Sequence, residues 1–187
     1  MYIIAGCNGA GKTTASYTVL PEMLNCREFV NADEIARGLS PFQPETVSFQ
    51  AGRIMLERIH ELLRGGYDFA FETTLSSRGH IHIIRKAKQL GYSVVLIFFW
   101  LESADLARAR VRARVEKGGH HIPGLVIDRR YSRGIKNFFA FYCHLVDSWI
   151  MYDNSGNAPS LIAMGKMQFE NTITNGDLWN QIITSVK

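Results

Sequence analysis

Eight residues near the start of the chain, Gly6-Cys7-Asn8-Gly9-Ala10-Gly11-Lys12-Thr13, fit the pattern G-x-x-x-x-G-K-[ST] and constrain the fold more than any other feature. Glycines at that spacing let consecutive backbone N–H groups turn toward one anion, and a helix starting there adds its dipole. Such a loop belongs between a strand and a helix. Both are predicted: the apolar run Tyr2-Ile3-Ile4-Ala5 precedes the loop, and Lys12 opens a helical segment. Gly6, Asn8, Gly9, Ala10, Gly11, Lys12, Thr13 and Thr14 are therefore candidate phosphate-binding residues. Lys12 can reach the outer phosphates of a nucleoside triphosphate, and the Thr13 hydroxyl can ligate magnesium.

The rest of the chain alternates strand-length apolar runs with helical-period segments. Glu28 to Asn31, Phe69 to Phe71, Val94 to Trp100 and Trp149 to Tyr152 read as further strands, apolar enough to be covered on both faces. Helices are predicted over Glu45 to Arg64, stopped by Gly65-Gly66, and over Ile81 to Leu90. Two more run from an N-cap at Ser103 through Glu116, and from Leu125 to Val146. This order predicts one α/β domain over residues 1–187, with a five-stranded parallel sheet and layers of helices on its two faces. From Ser160 a small hairpin and a last helix follow.

Composition excludes several classes. With 187 residues, 47% hydrophobic and 20% charged, the chain is neither disordered nor fibrous. Its longest apolar run, Ser93 to Leu101, is half a membrane span, so no membrane association is expected. The first residues lack the pattern of a signal peptide, and three cysteines without metal-ligand spacing suit a reducing, cytoplasmic setting. Charge is concentrated: Ser103 to Arg133 carries +5, whereas the whole chain carries +4. A localised anion partner accounts for that better than a generally basic surface.

Three constellations carry chemistry. Asp33 follows the second strand, where ligands of an open parallel sheet sit, and can act as base toward an acceptor hydroxyl. A cap on the helix beginning near Glu34 explains it equally well. Glu72 and Thr74, in Phe71-Glu72-Thr73-Thr74, place an acid and hydroxyls after the third strand, suited to a second substrate or to magnesium through water. The third is the Arg-rich segment, about residues 103–133. It reads as two short helices joined by Gly118-Gly119-His120-His121, a lid whose guanidinium forks neutralise a transferring phosphate. Arg110 and Arg114 share one face of its first helix, and Arg108 and Arg112 the next. Aromatic interleaving is absent until Tyr131, so nucleic acid is not the expected partner. Asn154, in Asp153-Asn154-Ser155-Gly156-Asn157, can border an adenine, or belong to a plain turn.

Together these residues resemble the zeta-toxin family of P-loop kinases, in particular its small stand-alone bacterial branch, sometimes labelled predicted ABC-type ATPases. The resemblance rests on the glycine loop, Val30-Asn31-Ala32-Asp33-Glu34-Ile35-Ala36, Phe71-Glu72-Thr73-Thr74-Leu75, Arg114-Val115, Gly118-Gly119-His120, Arg129-Arg130-Tyr131 and Asp153-Asn154-Ser155. It implies a P-loop kinase fold with a helical lid, using ATP and Mg2+ to phosphorylate the 3′-hydroxyl of the amino sugar in UDP-N-acetylglucosamine. It also implies a toxin that a small antitoxin protein neutralises. On it Asp33 is the general base, Lys12 binds phosphate and Thr13 ligates magnesium. Glu72 and Thr74 grip the sugar nucleotide, and Arg114 with Arg130 serve as lid arginines, although Arg129 fits the spacing as well as Arg130. Two other readings stand beside this one. One is a kinase for a nucleoside, metabolite or antibiotic; the other is a nucleotide-dependent switch that binds ATP without an acceptor.

Overall fold

A computed structural model describes residues 1–119 and 121–186. In chain order it comprises β1 (Tyr2–Gly6), α1 (Lys12–Thr18) continuing into a π-helical turn (Val19–Met23), β2 (Glu28–Val30) and α2 (Ala32–Leu39). A 3₁₀ turn (Pro44–Val47) leads into α3 (Ser48–Gly65), then β3 (Phe69–Thr73), α4 (His80–Gln89), β4 (Val95–Trp100), α5 (Ala104–Glu116) and α6 (Gly124–Ala140). After a second 3₁₀ turn (Tyr142–His144) come β5 (Ser148–Asp153), β6 (Ser160–Lys166), β7 (Thr172–Ile173) and α7 (Gly176–Val186).

Alternation along the central strands builds two cores. Ile3, Ala5, Phe69, Phe71, Leu96, Phe98 and Trp100 point to one face of the sheet, where α3, α4, α6 and α7 cover them. Ile4, Ala70, Ile97 and Phe99 point to the other, against Ala10, Leu20, and Ala107 and Val111 of α5. Successive strand residues face opposite ways, so strands filling both layers must be apolar throughout. The result is a three-layer α/β fold.

The sheet has seven strands, in the order β2-β3-β1-β4-β5-β6-β7. The first five are parallel, as expected, but the C-terminal hairpin does not stand apart: β6 pairs antiparallel with β5, and β7 with β6. An open parallel sheet leaves the outer edge of β5 unpaired, and the returning strand satisfies those backbone groups. The helix expected from Leu125 to Val146 ends at Ala140, where Tyr142 turns into the core and its hydroxyl donates to the Ser77 carbonyl. Among the described residues no helix is long and apolar enough to cross a membrane. The five parallel strands end at one edge, and every loop that carries a candidate residue leaves from that edge.

Candidate active site

The glycine loop leaves β1 at Gly6 and feeds α1 at Lys12. Gly9 and Gly11 take φ angles of 81° and 78°, the left-handed region that side chains disfavour. A Cβ at Gly9 would also stand 2.8 Å from the Ala107 carbonyl, because α5 packs directly on the loop. Lys12, only 5% exposed, folds back so that its Nζ donates to the Cys7 carbonyl at 2.9 Å. It also lies 3.3 Å from Glu72 Oε1, and that carboxylate is itself 10% exposed.

Glu72 is the hub of the site. β3 runs beside β1 with Ile4 opposite Glu72, which brings this acid level with the start of the loop. Its Oε2 accepts from Thr13 Oγ1 at 2.7 Å and from Asn31 Nδ2 at 2.9 Å. A buried carboxylate is costly unless paired and hydrogen-bonded, and here Lys12, Thr13 and Asn31 meet that requirement together. Thr13 Oγ1 and the Glu72 oxygens are hard donors of the kind magnesium takes, and the loop with Lys12 forms a cationic cradle suited to phosphate.

α2 begins at Ala32, earlier than expected, because Asn31 is its cap: Asn31 Oδ1 accepts from the Asp33 backbone N–H at 2.8 Å. Asp33 is not the cap, so its carboxylate is left out of the capping bond. It lies near enough to Arg130 for its charge to favour the guanidinium, although burial of Arg130 lowers that group's pKa by more. Arg130 Nη1 donates to Asn8 Oδ1 at 3.0 Å, which ties α6 to the glycine loop. Arg129, next to it, is exposed. The acid, one of the two adjacent arginines and the loop therefore converge at one place.

The Arg-rich segment is only partly free. Its helices are not both short: α5 has 13 residues and α6 has 17, and Val111, Ile127, Ile135 and Phe138 anchor them in the cores. Arg108 binds both Asp105 and Asp128, joining α5 to α6. Arg110 donates to the carbonyls of Asn154 and Ser155 at 2.7 and 2.9 Å. Arg114 lies one turn further along, and its carbonyl accepts from the Gly119 N–H at 2.9 Å. Arg112 and His121 are exposed, and His120 lies outside the described residues.

Asn154 donates from Nδ2 to the Ala10 carbonyl at 2.7 Å, so its amide holds the glycine loop. Thr74 Oγ1 pairs with Ser76 Oγ at 2.9 Å, Asn137 Nδ2 holds the Leu75 carbonyl at 2.7 Å, and Thr14 is exposed on α1. Cys7 is buried, and burial pushes its thiol up to about 11 despite the nearby Lys12. It is a filler of the loop and not an ionised nucleophile. Sequence reasoning missed Asn31 as a site residue, although an Asn two positions before an Asp is a recognisable cap. It also missed the Arg110–Asn154–Ala10 connection, for which the sequence carries no signal.

Comparison with known proteins bears on the family and the fold. The family model described as Zeta toxin matches residues 1–158. An uncharacterized protein of Haemophilus influenzae is 30% identical over 127 residues, which are 67% of this chain and 88% of that protein. Among solved structures, AvrRxo1-ORF1 in complex with AvrRxo1-ORF2 and sulphate ions superposes with a TM-score of 0.73 at 17% identity, and another structure of that complex holds ATP. The match covers 97% of this chain and 62% of that one, so the chain spans less than two thirds of this neighbour's length. The PezAT toxin–antitoxin system of Streptococcus pneumoniae gives a TM-score of 0.64 at 15% identity, covering 100% of this chain and 85% of that one. At these identities the likeness to solved structures is one of fold alone.

Proposed function

Because the chain belongs to the zeta-toxin family, we propose that it is an ATP- and Mg2+-dependent phosphotransferase whose acceptor is the hydroxyl of a UDP-N-acetyl amino sugar. The observation that carries this reading is the meeting of Asp33, Arg130 and the glycine loop, with Asp33 released from capping by Asn31. A nucleotide switch needs the loop and a magnesium ligand; it has no use for an acid poised beside an arginine that touches the loop.

In this reading the backbone N–H groups of the loop and Lys12 hold the nucleotide phosphates, and Thr13 with Glu72 holds the metal. The bound nucleotide supplies the phosphoryl group, and the metal screens its charge. Asp33 orients the acceptor hydroxyl and accepts the proton it gives up. Arg130, held by Asn8, and Arg114, on the last turn of α5, offer guanidinium donors where negative charge builds. Glu72 and Thr74 border the acceptor side. The toxin–antitoxin context of the pneumococcal neighbour supports an antitoxin protein as a partner.

The decisive experiment uses Asp33→Asn, which keeps the side-chain shape and leaves the Asn31 cap intact. ATP affinity by calorimetry is expected to stay near the parent value. Acceptor phosphorylation, read by mass spectrometry as the gain of one phosphoryl group, is expected to fall by roughly 10²–10⁴. Undiminished transfer by the variant removes Asp33 from the chemistry. A parent that binds ATP yet phosphorylates no sugar nucleotide, nucleoside, metabolite or antibiotic in a broad panel is a switch instead.

A further inference from the structure

Asn31 is only 6% exposed, and both ends of its side-chain amide are engaged. β2 pairs with β3 so that Val30 stands opposite Phe71, and the next step along both strands brings Asn31 beside Glu72. There its Nδ2 donates to Glu72 Oε2 at 2.9 Å and reaches Thr13 Oγ1 at 3.4 Å. Its Oδ1 accepts from the Asp33 backbone N–H at 2.8 Å. These neighbours admit one orientation only: turned over, the amide would set its oxygen against a carboxylate and its NH2 against an N–H. Asn suits this position as few residues do. Asp lacks the donor, Leu lacks both groups, and the single oxygen of Ser does not span the two partners.

Glu72 has three partners, and in the phosphotransfer reading two of them have further tasks, Lys12 with phosphate and Thr13 with the metal. Asn31 has no such task, so it can hold the carboxylate while the others serve the ligand. A group that hydrogen-bonds a metal-binding carboxylate fixes its direction, and losing such a group weakens metal binding about 10–100-fold. At its other end the same amide pins the first turn of α2, which carries Asp33. We infer that Asn31 is a positioning residue that couples the two halves of the site. Its Nδ2 holds Glu72 for the metal, and its Oδ1 seats the turn that presents Asp33 to the acceptor. The inference rests on the phosphotransfer reading and deepens it: one side chain places both the metal ligand and the base.

Two variants separate the ends of the amide. Ser caps a helix about as well as Asn, so Asn31→Ser keeps the cap and loses the tie to Glu72, whereas Asn31→Ala loses both. A non-hydrolysable ATP analogue is titrated by calorimetry with and without Mg2+. Without the metal, Asn31→Ser is expected to bind the analogue as the parent does. The gain in affinity that Mg2+ confers should shrink about tenfold or more. With Mg2+ saturating, transfer by Asn31→Ser should return to within a few-fold of the parent. Asn31→Ala should stay about tenfold lower in kcat, because the turn that carries Asp33 is no longer capped. An unchanged Mg2+ gain in Asn31→Ser overturns the inference. So does an equal loss of analogue affinity with and without the metal, the result a merely structural residue would give. Recovery of Asn31→Ala at high Mg2+ as full as that of Asn31→Ser overturns the coupling to Asp33. A parent that transfers to no acceptor overturns the phosphotransfer reading, while the calorimetric arm, which needs no transfer, still decides the hold on Glu72.

Discussion

Lys12 performs two tasks that the motif alone does not distinguish. As a phosphate ligand it acts on charge that develops in the transition state, so Lys12→Ala should cost turnover roughly 10²–10³. As the buried partner of Glu72 it also supports the fold, and removing it strands a carboxylate that is 10% exposed. Stability should therefore fall by about 3 kcal/mol, the scale for breaking a buried pair from one side. Adding Glu72→Gln should restore most of that stability and none of the turnover, as urea titration beside an ATP-turnover assay will show. His80 gives a second prediction. It stacks on Phe71 with ring centroids 5.2 Å apart, its Nδ1 has no hydrogen-bond partner among the described residues, and burial pushes its pKa down to about 4. The unfolded chain takes up this proton as pH falls through the ordinary value near 6.5, whereas the folded chain resists until about 4. Stability is thus full above that window and declines across it, by about 3 kcal/mol in total. The urea midpoint of the parent should drop between pH 7 and about pH 4.5 more steeply than that of His80→Gln.

At the scale of elements, α6 fixes the site from the far side. Gly134 lets it pass so close to the end of β3 that a Cβ there would stand 2.5 Å from the Thr74 carbonyl. Asn137 and Tyr142 then bind the following loop at Leu75 and Ser77. With α6 held this way, Arg130 is delivered to Asn8 by a rigid element, while Arg114 sits where α5 gives way to the glycine turn. Replacing either arginine with Gln should lower phosphotransfer far more than ATP affinity, by up to ~10³, because such donors act on the transferring group. Arg112→Gln and Arg129→Gln, both at exposed positions, should change little. Equal small losses at all four positions, in single-turnover rates and ATP titrations, would mark the whole segment as a solvated charged face.

For the whole molecule, the closing element lies beyond the segment that matches the family model. α7 carries Trp179 onto Trp149 of β5, with centroids 5.6 Å apart and planes 6° from parallel, and Phe138 and Phe139 meet these rings edge-on. This cluster covers the β5 end of the parallel sheet on the α6 side. Trp179→Ala should cost about 3–5 kcal/mol, as truncation of a buried aromatic does, and urea titration will measure it. ATP affinity should be retained wherever the variant remains folded, because the glycine loop leaves β1, which β4 separates from β5, and packs into the core on the other face of the sheet from Trp179.

Local chemistry and hydrophobic period were enough, in the sequence, to specify the parallel strands, the Ser103 cap of α5 and the glycine loop, since each is encoded within a few consecutive residues. Membership of the family was legible for the same reason: its motifs are short and contiguous. What only the tertiary structure decided was pairing across the chain. Nothing near Glu72 says that Thr13 and Asn31 donate to its carboxylate, and nothing near Arg130 says that it, and not Arg129, turns inward to Asn8. The antiparallel return of β6 depends on the open edge of β5, and the burial of Lys12 depends on Glu72, 60 positions away. Arg37 of α2 and Lys117, which follows α5, likewise line one cleft although 80 positions separate them in the chain. Hydrophobic period places residues on faces, but charges and hydrogen bonds meet only after the faces have packed.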